Sequence, residues 1–135
     1  MIQRTAEVVS PKHPDKLCDR VSDAILDLFL EKDPLVRCAV ETCGGHGKLF
    51  ITGEVTYYGP VIEESQIKNI AKIITGIEPE NVTLNIVAQS PEIAQGVDTG
   101  GAGDQGIMIG YACNDNEEYL PQEYYLARKL NREIY

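Results

Sequence analysis

The order in which apolar periodicities follow one another limits the fold of this chain more than any other feature. Leu17, Val21, Ala24, Ile25, Leu28 and Phe29 return at helical spacing, which predicts a helix packing one face on a core and running to about Leu30. Pro14 suits its first position and Asp33-Pro34 ends it. Residues 37–42 and 48–58 are rich in Val, Ile, Thr, Phe and Tyr, the composition of strands, with residues 43–47 between them as a hairpin loop. Ile67, Ile70, Ala71 and Ile74 mark a second amphipathic helix closed by Gly76, and residues 82–88 read as a further strand. With a short strand at residues 5–9, the order is β-α-β-β-α-β. That order predicts an α+β layer with helices on one face of a mixed or antiparallel sheet.

Residues 89–106 break the pattern. Six of the twelve glycines fall between Gly96 and Gly110, and no apolar face runs through this stretch. It is therefore read as an irregular functional loop that could act as a lid. Residues 107–112 then look like a strand and residues 121–134 like a helix begun at a proline. One strand and one helix do not complete a second layer.

Composition excludes several classes. With 43% hydrophobic and 24% charged residues, the chain is neither a disordered tail nor a membrane span, and it is expected to be cytoplasmic. A formal net charge of −9, from 12 basic and 21 acidic side chains, argues against nucleic acid or anionic lipid as a partner. Cys18, Cys38, Cys43 and Cys113 lack CxxC spacing and read as reduced core thiols.

Four constellations could carry chemistry. His13-Pro14-Asp15-Lys16 stands at a helix start, where unpaired N–H groups and partial positive charge favour phosphate. Lys16 adds a cation, Asp15 a hard oxygen for magnesium and His13 a donor. The plainer alternative is a capped helix with a dipole-complementing Asp15 and a solvated Lys16. Residues 101–106, Gly-Ala-Gly-Asp-Gln-Gly, spell GxGxxG, but no strand precedes and no helix follows, so dinucleotide binding is rejected. A glycine turn or a tight loop holding Asp104 and Gln105 to a ligand both remain. Glu41 and Glu54 lie on the hairpin; if Thr42 pairs with Leu49, Glu54 faces Arg37 in a cross-strand ion pair. Asp19, Asp23 and Asp27, four apart, form a solvated helix face rather than a metal ladder.

Taken together these stretches resemble the N-terminal part of the S-adenosylmethionine synthetase (methionine adenosyltransferase) family. The match is carried by residues 10–19 (SPKHPDKLCD), 22–27 (SDAILD), Glu41-Thr42, 53–56 (GEVT), 89–98 (QSPEIAQGVD) and 101–106, in family order. The resemblance implies an α+β layer at residues 1–100 that includes an active-site loop at 89–99, and an incomplete central domain beginning at 101–135. It implies a transferase that joins L-methionine to ATP and cleaves the triphosphate to pyrophosphate and phosphate, with magnesium and potassium as cofactors. By the same resemblance His13 and Lys16 lie by the triphosphate, Asp15 binds magnesium and Glu41 potassium. Glu54 and Gln89 contact methionine, and Asp104 lies near the methionine amine and the nucleoside. A homodimer is implied, with part of the site supplied across its interface. The alternative is a truncated homologue without catalysis, a ligand-binding or subunit-interaction module.

Overall fold

The computed structural model describes residues 3–60, 62–98, 100–103 and 105–135, with Ile93 and Ala94 described by their backbone alone. The chain divides into two compact units, one of Pro14–Asp104 and one of Met1–His13 with Gln105–Tyr135.

The larger unit is an α+β layer. Helix α1 spans Pro14–Leu30 and buries Val21, Ile25 and Phe29, one residue per turn along a single stripe. Strands β1 (Cys38–Gly45) and β2 (Lys48–Val55) form an antiparallel hairpin joined by His46-Gly47, both at positive φ (51° and 76°). Helix α2 (Glu64–Thr75) then crosses to β3 (Asn81–Ala88), which pairs in parallel with β2, giving the sheet order β1-β2-β3. At the start of α2 the Glu63 N–H donates to the Gln66 side-chain oxygen at 3.0 Å, so one exposed donor of the first turn is satisfied.

Alternation along the strands decides which face is covered. Val40, Ile51 and Val55 point to the helices and are buried, together with Val36, Ile62, Ile67 and Ala71. Ile25, Ile51 and Ile67 are fully buried, each contributing about 2–3 kcal/mol in removed apolar surface. Phe29 meets Tyr57 edge to face at 5.4 Å between ring centroids, which fixes the far end of α1 against the end of β2. Ala39, Glu41, Thr52, Glu54, Asn85 and Val87 alternate onto the other face, where neither α1 nor α2 packs.

Three local expectations change. The hairpin loop is two residues rather than five, because positive φ at both His46 and Gly47 lets the strands continue to Gly45 and Lys48. The register therefore pairs Thr42 with Ile51 and Glu54 with Ala39, so Glu54 does not face Arg37. Within 89–106 a helix forms, α3 (Pro91–Asp98). Its signal was present in Ser90-Pro91, a capping residue before a first-position proline, and in the glycines beyond its end.

In the smaller unit, helix α4 spans Gln122–Ile134 and follows Pro121 as expected. Among the described residues, 5–9 and 107–112 do not form strands. Strand-like composition becomes a strand only when another edge lies alongside to take its N–H and C=O groups. Ile107, Met108 and Ile109 are accordingly exposed. Arg4 pairs with Glu123 at 3.9 Å and the Asn131 amide donates to the Val8 carbonyl at 3.4 Å, joining the first segment to α4.

Candidate functional site

Two groups of the expected residues lie at opposite ends of the sheet. The first is the start of α1. Asp15 is exposed and Lys16 half-buried in its first turn, where the helix presents its positive end. This end of α1 sits at the hairpin: Pro14, Leu17 and Cys18 line a largely apolar cleft of about 260 Å³ with the 44–49 turn and the end of α2. Burial there pushes the Cys18 thiol up, as it does that of Cys38. Hence these thiols are poor nucleophiles near neutral pH. Both are half-buried, Cys38 packed against the core, and Cys43 is exposed. His13 ends the other unit; it is half-buried and its amide donates to the Ser10 carbonyl at 3.0 Å.

The second group gathers where β2 and β3 finish. The Gln89 amide donates to the Val55 carbonyl at 3.0 Å, carrying the β2–β3 ladder one residue past the strand. The next amide, that of Ser90, donates to Glu54 Oε2 at 3.4 Å. Arg37, just before β1, is pinned by the Thr56 amide donating to its carbonyl and its own amide donating to Thr56 Oγ1, both at 2.9 Å. Its Nε donates to Gln89 Oε1 at 2.9 Å, and its Nη1 to Asp98 Oδ1 at 2.5 Å at the far end of α3. Arg37 thus ties three chain segments together. A pair with an aspartate 59% exposed contributes about 1 kcal/mol or less, whereas the half-buried bond to Gln89 is charge-assisted and stronger.

Helix α3 also gives the glycine hexapeptide its local role. Gly100, at φ 84°, donates to the Val97 carbonyl at 2.9 Å, and Gly101 donates to the Gly96 carbonyl at 3.1 Å. These two bonds form a Schellman closure, and a Cβ on Gly101 would stand 2.5 Å from the Gly96 oxygen. The motif therefore begins by ending a helix rather than by turning between strands. Asp104 lies outside the described residues.

Two rulers set the distance between the groups. Along β2, Lys48 to Glu54 is six residues, about 20 Å of strand. Along α1, Lys16 to Phe29 is thirteen residues, again about 20 Å. The fold therefore brings Glu54 and Gln89 together and holds them apart from Asp15 and Lys16. Glu41 stands between, on the uncovered face of the edge strand, in a row with Thr52 and Asn85, whose side chains bond at 3.3 Å.

Among the described residues no three His, Cys, Asp or Glu side chains converge on a point that could hold a metal. A single carboxylate such as Asp15 still suits magnesium, which keeps its waters and takes one or two carboxylates alongside phosphate oxygens. No helix among the described residues is long and apolar enough to cross a membrane.

The start of α1, with Asp15 and Lys16, and the ends of β2 and β3, with Glu54 and Gln89, thus stand on one α+β layer. Residues 2–99 match the S-adenosylmethionine synthetase N-terminal domain and residues 99–135 match the central domain of the same family. The chain belongs to the S-adenosylmethionine synthetase family. It is 43% identical to the S-adenosylmethionine synthase of Synechococcus sp. (strain CC9605), and 42% identical to that of Parasynechococcus marenigrum (strain WH8102). Each alignment takes in 96% of this chain and 36% of the relative, so the chain spans little more than a third of their length. A solved structure described as an unusual S-adenosylmethionine synthetase from Campylobacter jejuni superposes with a TM-score of 0.74 at 31% identity. That match covers 95% of this chain and 35% of the other.

Arg37 was missed by sequence reasoning as a member of this group. Its only sequence signal was a lone basic residue at the start of a strand, and its partners lie 52 and 61 residues away.

Proposed function

We propose that the chain carries one part of a methionine adenosyltransferase, an enzyme that makes S-adenosylmethionine from ATP and L-methionine. In that reaction the methionine sulfur attacks C5′ of the ribose and the C5′–O bond breaks. Its electron pair leaves with the triphosphate, and the product is a sulfonium. Water then splits the triphosphate into pyrophosphate and phosphate. A thioether has no proton to lose, so the protein's work is to position two substrates and to stabilise a polyanionic leaving group.

The observation that carries this reading is the convergence of Glu54 and Gln89. A free α-amino acid presents an ammonium and a carboxylate on one carbon, so its complement is an acceptor beside a donor. Glu54 supplies the carboxylate for the ammonium, and Gln89 the amide donor for the carboxylate. His13 and Lys16 act at the triphosphate, and Asp104 near the methionine amine and nucleoside. Magnesium, held by Asp15 and phosphate oxygens, would neutralise the triphosphate's charge; potassium would rest on Glu41. The domain boundary falls near residue 100, with the central domain beginning at residue 101.

The separation of about 20 Å supports a site shared between two copies, because sulfur and ribose must come into contact while Glu54 and Lys16 of one copy cannot approach each other. The uncovered sheet face, with Phe50 and Val87 exposed among polar rows, is the surface on which two copies would stack to form a homodimer. Four free thiols fit a reducing compartment, the cytoplasm.

The test is to incubate the purified chain with ATP, methionine, magnesium and potassium and to look for S-adenosylmethionine by mass spectrometry. Product above a His13→Ala control is expected from a working catalyst. Product that appears only on adding the remaining segment of a full-length relative identifies a divided site. Methionine that binds with no product in either case leaves the non-catalytic module. Independently, Asp15→Asn is expected to weaken the magnesium dependence of ATP binding in calorimetry, and an unchanged magnesium titration removes Asp15 from the metal site.

A further inference from the structure

The two bonds made by the Arg37 guanidinium have a consequence for Gln89. A guanidinium only donates, so the group of Gln89 that faces it is the carbonyl oxygen, and the amide NH2 is turned the other way. Without that neighbour the amide could rotate and present its oxygen, which would repel a carboxylate. The same guanidinium is held from its other side by Asp98, at the end of α3. Its planar fork thereby links the orientation of one side chain at the end of β3 to the seating of a helix whose first residue follows two positions later.

We propose that Arg37 is a positioning residue that keeps the Gln89 amide donor outward for an amino-acid carboxylate and, through Asp98, makes that orientation depend on α3 being seated. The carboxylate part rests on the assignment of Gln89 as a methionine contact; the coupling of Gln89 to α3 does not. Linkage requires the converse as well: a ligand that binds the oriented amide stabilises the seated helix by the same factor.

The experiment compares methionine binding by calorimetry with amide hydrogen exchange across Pro91–Asp98 and the Gln89 side-chain NH2 resonances, in the full chain. Arg37→Ala is expected to raise the methionine dissociation constant about tenfold, as Gln89→Ala does, and the double variant to be no weaker than Gln89→Ala alone. Asp98→Ala is expected to raise it about threefold. Methionine should slow exchange in α3 of the wild type and leave it unchanged in Arg37→Ala. Arg37→Lys, which keeps the charge and loses the fork, should recover the pairing with Asp98 but not the Gln89 resonance positions.

Losses from Arg37→Ala and Gln89→Ala that multiply in the double variant would overturn the proposal, since Arg37 would then act independently of Gln89. If the wild type binds no methionine, the amino-acid site is wrong, and exchange and resonances still decide the coupling. In that case Arg37→Ala must shift the Gln89 NH2 signals and speed exchange in α3, and the absence of both changes refutes it. Should Arg37→Ala fail to fold, Arg37→Lys and Asp98→Asn carry the same comparisons.

Discussion

Replacing Gly53 by alanine should do more damage than its size suggests. Gly53 lies in β2 between the buried Ile51 and Val55, paired with Val40 on β1, at φ 145°. A Cβ there would stand 2.0 Å from the Ala39 carbonyl oxygen and 2.8 Å from the Val40 Cα. Real Cβ atoms essentially never come within 3.0 Å of another heavy atom, so the strands must part by roughly an ångström, and both obstacles are backbone. The ladder bonds around Val40 and Ala39 are then lost or stretched, each at about 0.5–1.5 kcal/mol, and forcing alanine into this conformation costs about 1–3 kcal/mol. Alanine's restriction of the unfolded chain returns only about 0.4–1 kcal/mol. The net loss is about 2–5 kcal/mol, a large share of the stability of a chain this size.

Urea unfolding followed by circular dichroism, with tyrosine fluorescence reporting the Tyr57–Phe29 contact, should show the midpoint falling by about 1–3 M. Gly96→Ala is the matched control. Gly96 is in α3, a Cβ there meets nothing within 4 Å, and alanine in a helix is favoured by about 1 kcal/mol over glycine. The same chemical change should therefore leave the global midpoint alone and slow exchange in α3. A Gly53→Ala midpoint within about 0.5 kcal/mol of wild type would refute the close approach of β1 and β2 at this rung.

Two further outcomes follow from local geometry. His46→Asn puts the preferred Asn-Gly pair into a turn whose two residues both have positive φ, and should stabilise the hairpin by about 0.5 kcal/mol in the same denaturation assay; destabilisation would show the turn is of another type. Because burial pushes the Cys18 and Cys38 thiols up, iodoacetamide near neutral pH should modify the exposed Cys43 first, as read by peptide mass spectrometry. The sign for stability follows from the same direction. Unfolded thiols ionise near pH 8.5 while Cys18 and Cys38 stay protonated in the fold, so stability is intact below that pH and declines as pH rises through the raised values. A Cys18→Ala/Cys38→Ala variant should lack that part of the decline.

What could be read from the sequence was what is set within a few residues. The stripe Val21, Ile25, Phe29 fixes α1, Ile67 and Ala71 fix α2, and the Val- and Thr-rich runs fix the three strands, because each pattern reports burial on one face. The family motifs likewise carried the expected site residues as a set. The sequence could not say which of them meet. Helix length and strand rise, with the contact of Phe29 on Tyr57, put Lys16 and Glu54 at opposite ends of one layer, a fact contained in no single motif. The strand expected at residues 5–9 had the right composition, yet ladder formation depends on an available edge, and composition does not encode one.

Register is where the local reading failed with the most consequence. Pairing Thr42 with Leu49 gives Arg37 to Glu54 as an ion-pair partner; the two-residue turn moves every partner by two positions on the same face. Since a shift of two preserves the inward and outward alternation, the hydrophobic pattern is satisfied by either register and cannot choose between them. The choice falls to His46-Gly47, whose positive φ angles suit the tight turn. Once the strands pair as they do, Glu54 lies opposite Ala39 and faces the Ser90 amide, and Arg37 takes Gln89 and Asp98 instead. Arg37 is thereby paired elsewhere than with Glu54. Under the proposed function this leaves Glu54 for an ammonium and Arg37 for orienting the neighbouring amide, so the turn at one end of the sheet bears on the proposed site at the other.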